Sequence, residues 1–175
     1  MARYVALLRG INVGGINIKM ADLRRVFADL GFDDVKTVLA SGNVLFTSDS
    51  ADATALKSTI EAALRAAFAY EAWVVVLDTD SVARVVEAYP FDPAHSGRQP
   101  YVMFATQPDV LSELLTVQDA LDPAIERIAA GDGVVYWEVE RGRTLDSIFG
   151  KNIGKPKLKA VITTRNLRTL VKLLG

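Results

Sequence analysis

The first residues with a type and spacing suited to chemistry follow the first apolar segment. Arg3 to Leu8 is predicted as a short strand, and Arg9, Asn12, Gly14 and Gly15 come soon after it. Glycine lets backbone N–H groups approach an anion, and a following helix N-terminus adds favourable partial charge. The spacing matches neither the Walker A loop nor the dinucleotide fingerprint. The loop therefore predicts either an anion-binding turn or a tight structural turn.

A second polar loop, Ser41 to Asn43, separates two strand-like runs, Val35–Leu39 and Val44–Thr47. An isolated Ser-Gly-Asn is usually only a turn. In the predicted fold, however, the third strand lies antiparallel beside the first, so its beginning adjoins the end of the first strand. We therefore expect Ser41 and Asn43 to lie beside Arg9 and to contribute to the same ligand site.

The third candidate is the run Thr163 to Asn166, which the pattern places at the start of the last helix. A threonine there is a natural N-cap, which is a structural role. Arg165 in a first helical turn would oppose the helix dipole, whereas its guanidinium suits bidentate capture of phosphate or carboxylate. Arg165 and Asn166 are therefore candidate ligand-binding residues.

Several kinds of chemistry are excluded by composition. The chain contains no cysteine, which rules out disulfides, thiolate nucleophiles and cysteine-ligated metals. Its one histidine, His95, lies in a proline-rich segment and is interpreted as an exposed loop residue. No metal site, no cofactor and no general base is predicted. Whether the protein is an enzyme is left open, and any catalysis would rest on electrostatics.

No apolar run approaches the roughly 20 residues that a membrane-spanning helix needs. Arg9 interrupts the N-terminal apolar stretch before it could form a signal-peptide core. A cytoplasmic protein with no membrane partner is therefore expected. Half of the residues are hydrophobic, which is enough for a substantial core.

Charge is distributed unevenly along the chain. Residues 141–175 contain nine basic residues and one acid, a net charge of +8, so the first 140 residues carry −9. This asymmetry indicates either an anionic partner for the C-terminal part or attraction between the two halves of the molecule.

The periodic segments predict an α+β protein with two ferredoxin-like subdomains. Apolar residues alternate between strand and helix spacing in the order β-α-β-β-α-β, and this order occurs twice without a sequence repeat. The predicted subdomains are residues 1–78 and 101–175, and the second has the basic C-terminal part. Residues 79–100 are predicted as a helix and a proline-rich linker.

Several of these runs closely resemble the bacterial family called domain of unknown function 1697. The resemblance extends over essentially the whole chain and rests on Tyr4–Gly15, Met20, Leu23, Ser41–Val44, Phe46 and Thr163–Asn166. In that family a Trp commonly follows the Arg-Asn pair, and Leu167 stands there instead. The resemblance implies two ferredoxin-like subdomains and brings no established activity.

The leading functional hypothesis is a site for a small anionic ligand, phosphorylated or carboxylate. The alternative is a nucleic-acid-binding module, because the same strand order is that of the RNA-recognition fold. The third strand supplies a single aromatic residue, Phe46, so this alternative ranks second. A third possibility is self-assembly through the apolar strand Trp73–Leu77, which is predicted at a sheet edge. The sequence does not determine the oligomeric state.

Overall fold

The computed structural model describes residues 1–9, 17–39 and 42–175. The chain divides into two compact units. The first unit consists of residues 1–83 together with residues 172–175, and the second consists of residues 84–171. None of the described helices is both long and apolar enough to cross a membrane.

The first unit contains four strands and two helices in the predicted order, and a third helix begins in it and ends in the second unit. Their bounds are β1 Ala2–Leu8, α1 Met20–Asp29, β2 Asp33–Thr37, β3 Asn43–Ser48, α2 Ala53–Phe68, β4 Val74–Asp78 and α3 Thr79–Glu87.

The sheet of the first unit has the strand order β2-β3-β1-β4, and every neighbouring pair is antiparallel. This order is that of the ferredoxin-like fold, because each β-α-β crossover skips one strand. One face of the sheet forms the core with α1 and α2, where Phe27, Phe46 and Ile60 are fully buried. As predicted, β4 is an edge strand.

The ends of α2 follow local sequence rules. The Asp52 side chain accepts hydrogen bonds from the backbone N–H groups of Thr54 and Ala55, which would otherwise lack helical partners. The helix ends at Ala69, whose left-handed conformation (φ 52°) stops the regular hydrogen bonding.

The second unit repeats the strand order with more helical segments. Its elements are β5 Arg98–Ala105, α4 Pro108–Leu115, β6 Glu126–Ala130, β7 Val135–Glu140, α5 Ile148–Ile153, α6 Pro156–Lys159, β8 Ile162–Asn166 and α7 Leu167–Leu174. A single 3₁₀ turn, Gln118–Ala120, lies between α4 and β6. The last residues of α7 are those grouped with the first unit.

The second sheet has the order β6-β7-β5-β8 and is antiparallel throughout. Its core contains Met103, Trp137 and Phe149, all fully buried. The chain therefore contains two four-stranded antiparallel sheets flanked by helices, which are two ferredoxin-like subdomains, as the sequence predicted.

One boundary differs from the prediction and changes the setting of a candidate residue. The strand β8 continues through Asn166, so Arg165 lies in a strand and not in the first turn of the last helix. Cross-strand pairing with β5, where Arg165 lies opposite Val102, keeps this segment extended. The cap of α7 comes from Asn166, whose Oδ1 accepts the Arg168 N–H at 2.9 Å.

Candidate functional site

The end of β1 and the beginning of β3 meet at one end of the first sheet. Leu7 lies opposite Asn43, and the Leu8 N–H donates to the Gly42 carbonyl oxygen at 2.8 Å. The structure therefore brings the end of β1, which Arg9 follows, beside Asn43 at the beginning of β3. We call this region, together with the end of β2 and the beginning of β4, the polar end of the first sheet.

Arg9 is joined to the beginning of β4. Its N–H donates to the Trp73 carbonyl oxygen at 3.3 Å, and its guanidinium carbon lies 6.0 Å from the centroid of the Trp73 ring. That separation is at the outer limit of a cation–π contact. The sequence predicted Trp73 only as a strand residue. Trp73 and Arg9 are 64 positions apart, so no local pattern indicates that they lie close together.

Asn43 has a structural role at this end. Its side chain is fully buried, and its Nδ2 donates to the Val38 carbonyl oxygen at 2.9 Å. The Val38 N–H in turn donates to the Asn43 carbonyl oxygen at 2.9 Å. Gly42 has φ 78°, a backbone conformation that glycine adopts without strain. These contacts hold the turn that connects β2 and β3.

The N-terminal part of α1 also lies at the polar end. The Arg24 Nη1 donates to the Thr37 Oγ1 at 2.8 Å, and Thr37 is the last residue of β2. The helix begins after Lys19, which makes no side-chain capping bond, and Asp22 lies in its first turn. Lys19 and Arg24 add two exposed cations that sequence reasoning missed. Helical periodicity predicts that these two side chains are exposed. It does not predict which end of the sheet they lie near.

Four of the predicted ligand-binding residues, Asn12, Gly14, Gly15 and Ser41, lie outside the described residues. Arg165 and Asn166 belong to the second unit. The Asn166 Nδ2 donates to the Gln99 Oε1 at 3.2 Å, so both ends of this amide form hydrogen bonds.

Arg165 is a buried cation, with only 8% of its surface exposed. Its Nη1 donates to the Thr163 Oγ1 at 2.6 Å and to the Thr164 carbonyl oxygen at 3.0 Å. Burial lowers the pKa of this guanidinium to about 10, because the charged form is poorly solvated. Arg165 still carries its charge at neutral pH.

The second unit also contains a charged cluster that the sequence did not predict. The Glu138 carboxylate is 1% exposed, and its Oε1 accepts from Arg98 Nη1 at 2.9 Å and from Arg127 Nη2 at 2.8 Å. The three residues are separated by 11 to 40 positions, so no local pattern reveals the cluster. It links β5, β6 and β7, which is a structural role.

A cavity of about 380 Å³ lies along β6 beside Arg127. Its walls include the apolar side chains of Phe91, Leu121 and Ile128. The Arg127 guanidinium lies over the Phe91 ring, 4.6 Å from its centroid. No group of three or more His, Cys, Asp or Glu residues able to hold a metal ion occurs in residues 1–9, 17–39 and 42–175.

The fold resembles that of a solved structure over nearly its full length. This is the conserved bacterial protein SP0830 from Streptococcus pneumoniae, with a TM-score of 0.82 and 24% sequence identity. The similarity covers 99% of this chain and 97% of that chain. At this identity it shows the shared fold alone.

A second structure, an unknown protein from Galdieria sulphuraria, is 11% identical with a TM-score of 0.27 over 94% of this chain and 97% of that one. That score is too low to support an argument.

No curated protein sequence matches this chain. The family model described as "Protein of unknown function (DUF1697)" matches residues 1–136. This match spans the whole first sheet and reaches the first two residues of β7, which is more than half of the chain, and the chain belongs to that family.

Proposed function

We propose that this protein binds a small anionic ligand, phosphorylated or carboxylate, at the polar end of the first sheet. The observation that carries the proposal is that α1 begins after Lys19, whose own side chain makes no capping bond, at the same sheet end as the Arg9 guanidinium. The first turn of a helix presents backbone N–H groups and the positive end of its dipole. An oxyanion there would accept hydrogen bonds from backbone and side chain together.

The local charges favour an anion. Arg9, Lys19 and Arg24 lie at this end, and Asp22 is the acid in the first turn of α1. Asp22 offsets part of the dipole, so a bound anion would be held mainly by the cations. The Arg9 guanidinium lies 6.0 Å from the centroid of the Trp73 ring, so a ligand bound by Arg9 would also lie beside this aromatic side chain.

The nucleic-acid alternative receives less support from the same sheet. Phe46, the aromatic residue of β3, is fully buried among the core residues of the first unit. A buried ring cannot stack on a base, and RNA-recognition folds depend on such stacking.

The proposal predicts a ligand-dependent rise in melting temperature that requires Arg9. Thermal shift would be measured with inorganic phosphate, nucleotides, sugar phosphates, small carboxylates and a short RNA. A ligand at about 100 times its dissociation constant stabilises by about 2.7 kcal/mol, roughly 5 to 11 °C for a protein of this size. The shift should be lost in Arg9→Gln and enhanced in Asp22→Asn.

The matched control is Arg3→Gln, which removes the same charge from the opposite end of β1. Trp73 provides a second readout, because ligand binding beside it should change its fluorescence, and the Trp73→Phe variant isolates the signal of Trp137. Equal ligand responses in Arg9→Gln and Arg3→Gln would refute the site. The absence of a shift with every small anion would refute the proposed function.

A further inference from the structure

Residues 141–159, which we call the basic segment, combine dense positive charge with exposed apolar side chains. The segment contains six basic residues and one acid, Asp146. Asp146 forms an ion pair with Arg143 at 2.9 Å, so its charge is already compensated. Lys151 and Lys155 are exposed and make no ion pair within the described part of the chain. The segment therefore presents a net positive surface.

Two large aliphatic side chains are exposed within this segment. Leu145 is 87% exposed and Ile148 is 49% exposed. Ile148 and Lys151 are three apart in α5 and share a face of that helix. Leu145 lies in the turn before α5, next to Thr144, whose carbonyl oxygen packs against Gly150 of the helix.

The other side of the segment is buried. Phe149 is fully buried and Leu158 is 4% exposed, and both pack in the core of the second unit. This anchoring holds the outer face in place. Leu145 and Ile148 are therefore exposed beside an anchored helix, and two exposed aliphatic side chains together with exposed lysines favour an interaction site.

The aliphatic character of the exposed pair selects between two anionic partners. Nucleic acids held without sequence readout are bound by cations together with aromatic residues that stack on bases. The aromatic residue of the basic segment, Phe149, is buried and cannot stack. An anionic lipid surface instead accepts aliphatic side chains among its acyl chains and attracts lysines to its headgroups.

We propose that the basic segment of the second unit docks on anionic membrane surfaces, with Leu145 and Ile148 inserted at the headgroup boundary and Lys151 and Lys155 beside the lipid phosphates. This is peripheral binding and needs no membrane-spanning helix. The docking surface is separate from the polar end of the first sheet. The test of membrane docking is therefore independent of the ligand proposed there.

Vesicle co-sedimentation tests the proposal. The full chain is mixed with vesicles of phosphatidylcholine alone or of phosphatidylcholine with phosphatidylglycerol. We expect binding only to the anionic vesicles, weakened about fivefold by each of Lys151→Gln and Lys155→Gln. The double variant Leu145→Ser with Ile148→Ser should weaken binding about tenfold or more.

Val171→Ser is the matched control for the apolar change, because Val171 is 48% exposed and lies outside the basic segment. Melting curves verify that each variant is folded. If the double variant is not folded, the single variant Leu145→Ser is used in its place. Unchanged binding of the apolar variants would overturn insertion. Failure to pellet with anionic vesicles would overturn the proposal, and binding to single-stranded RNA without vesicle binding would assign the segment to nucleic acid.

Discussion

Two tyrosines that contact each other in the second unit differ in the hydrogen bonding of their hydroxyl groups. Tyr136 is 1% exposed and donates to the Val85 carbonyl oxygen at 2.6 Å. Tyr89 packs edge-on against it, with ring centroids 5.7 Å apart, and its buried hydroxyl has no hydrogen-bond partner among the described residues. A buried hydroxyl without a partner costs free energy, whereas a paired one does not.

This difference predicts opposite outcomes for the same substitution. Tyr89→Phe removes an unsatisfied hydroxyl and should leave the free energy of unfolding unchanged or raise it by up to about 1 kcal/mol. Tyr136→Phe removes a made bond and leaves a buried carbonyl, so it should lower that free energy by about 1 to 2 kcal/mol. Urea unfolding of both variants provides the measurement, and a larger loss in Tyr89→Phe would contradict the assignment.

At the scale of single residues, the sequence predicted which parts of the chain lie close together. It predicted less well the contacts that the side chains make there. Strand order alone brings the end of β1, which precedes Arg9, to Asn43 at the beginning of β3. The burial of the Asn43 amide on Val38 is invisible in a Ser-Gly-Asn run, because the same residues can face solvent or the turn. The setting of Arg165 was wrong because pairing with β5 overrides the local helix pattern.

At the scale of elements, α5 depends on one glycine. A methyl group added at Gly150 would overlap the backbone carbonyl oxygen of Thr144. The Gly150 N–H also donates to the Ser147 Oγ at 3.1 Å, which caps the helix. The turn before α5 can therefore lie this close to the helix only if position 150 has no side chain.

Gly150→Ala should lower the free energy of unfolding by about 1 to 3 kcal/mol, because neither backbone segment can move away cheaply. Gly154→Ala is the matched control at the other end of α5, where the nearest atom to an added methyl would be the Gly150 carbonyl oxygen at 3.4 Å. It should be neutral or stabilising by up to about 1 kcal/mol. Thermal or urea unfolding measures both, and equal effects would contradict the close approach.

The elements were predicted well where apolar spacing is regular and less well where it is interrupted. Both sheets and the long helix α2 follow from clear periodicity. The short helix α6 was missed, because a four-residue segment that begins with Pro156 and has one buried residue, Leu158, contains too few positions for a period.

For the whole molecule, alkaline stability reflects buried groups in both units. Burial raises the pKa of Tyr70 in the first unit to about 12, and it also raises the pKa values of Tyr89 and Tyr136 in the second. A neutral buried phenol stabilises the folded state fully below its unfolded pKa near 10. That stability is lost as the pH rises through the higher folded value.

Arg165 acts in the opposite direction. Its folded pKa is lowered to about 10 from 12.5, so raising the pH between these values relieves the cost of burying its charge. Three phenols outweigh this one guanidinium, and we expect a net loss of stability above about pH 10. Unfolding followed by circular dichroism against pH checks the direction. Tyr70→Phe should move the alkaline transition to higher pH, and an unchanged transition would contradict the role of Tyr70.

The assignment of residues 172–175 to the first unit has a consequence for biosynthesis. A ribosome translates the chain from residue 1 onward, so these residues emerge only after all of the second unit. The first unit can form its sheet early, since β1 to β4 end at Asp78, but it receives its final residues last. A chain stalled before α7 would therefore lack four residues that belong to the first unit.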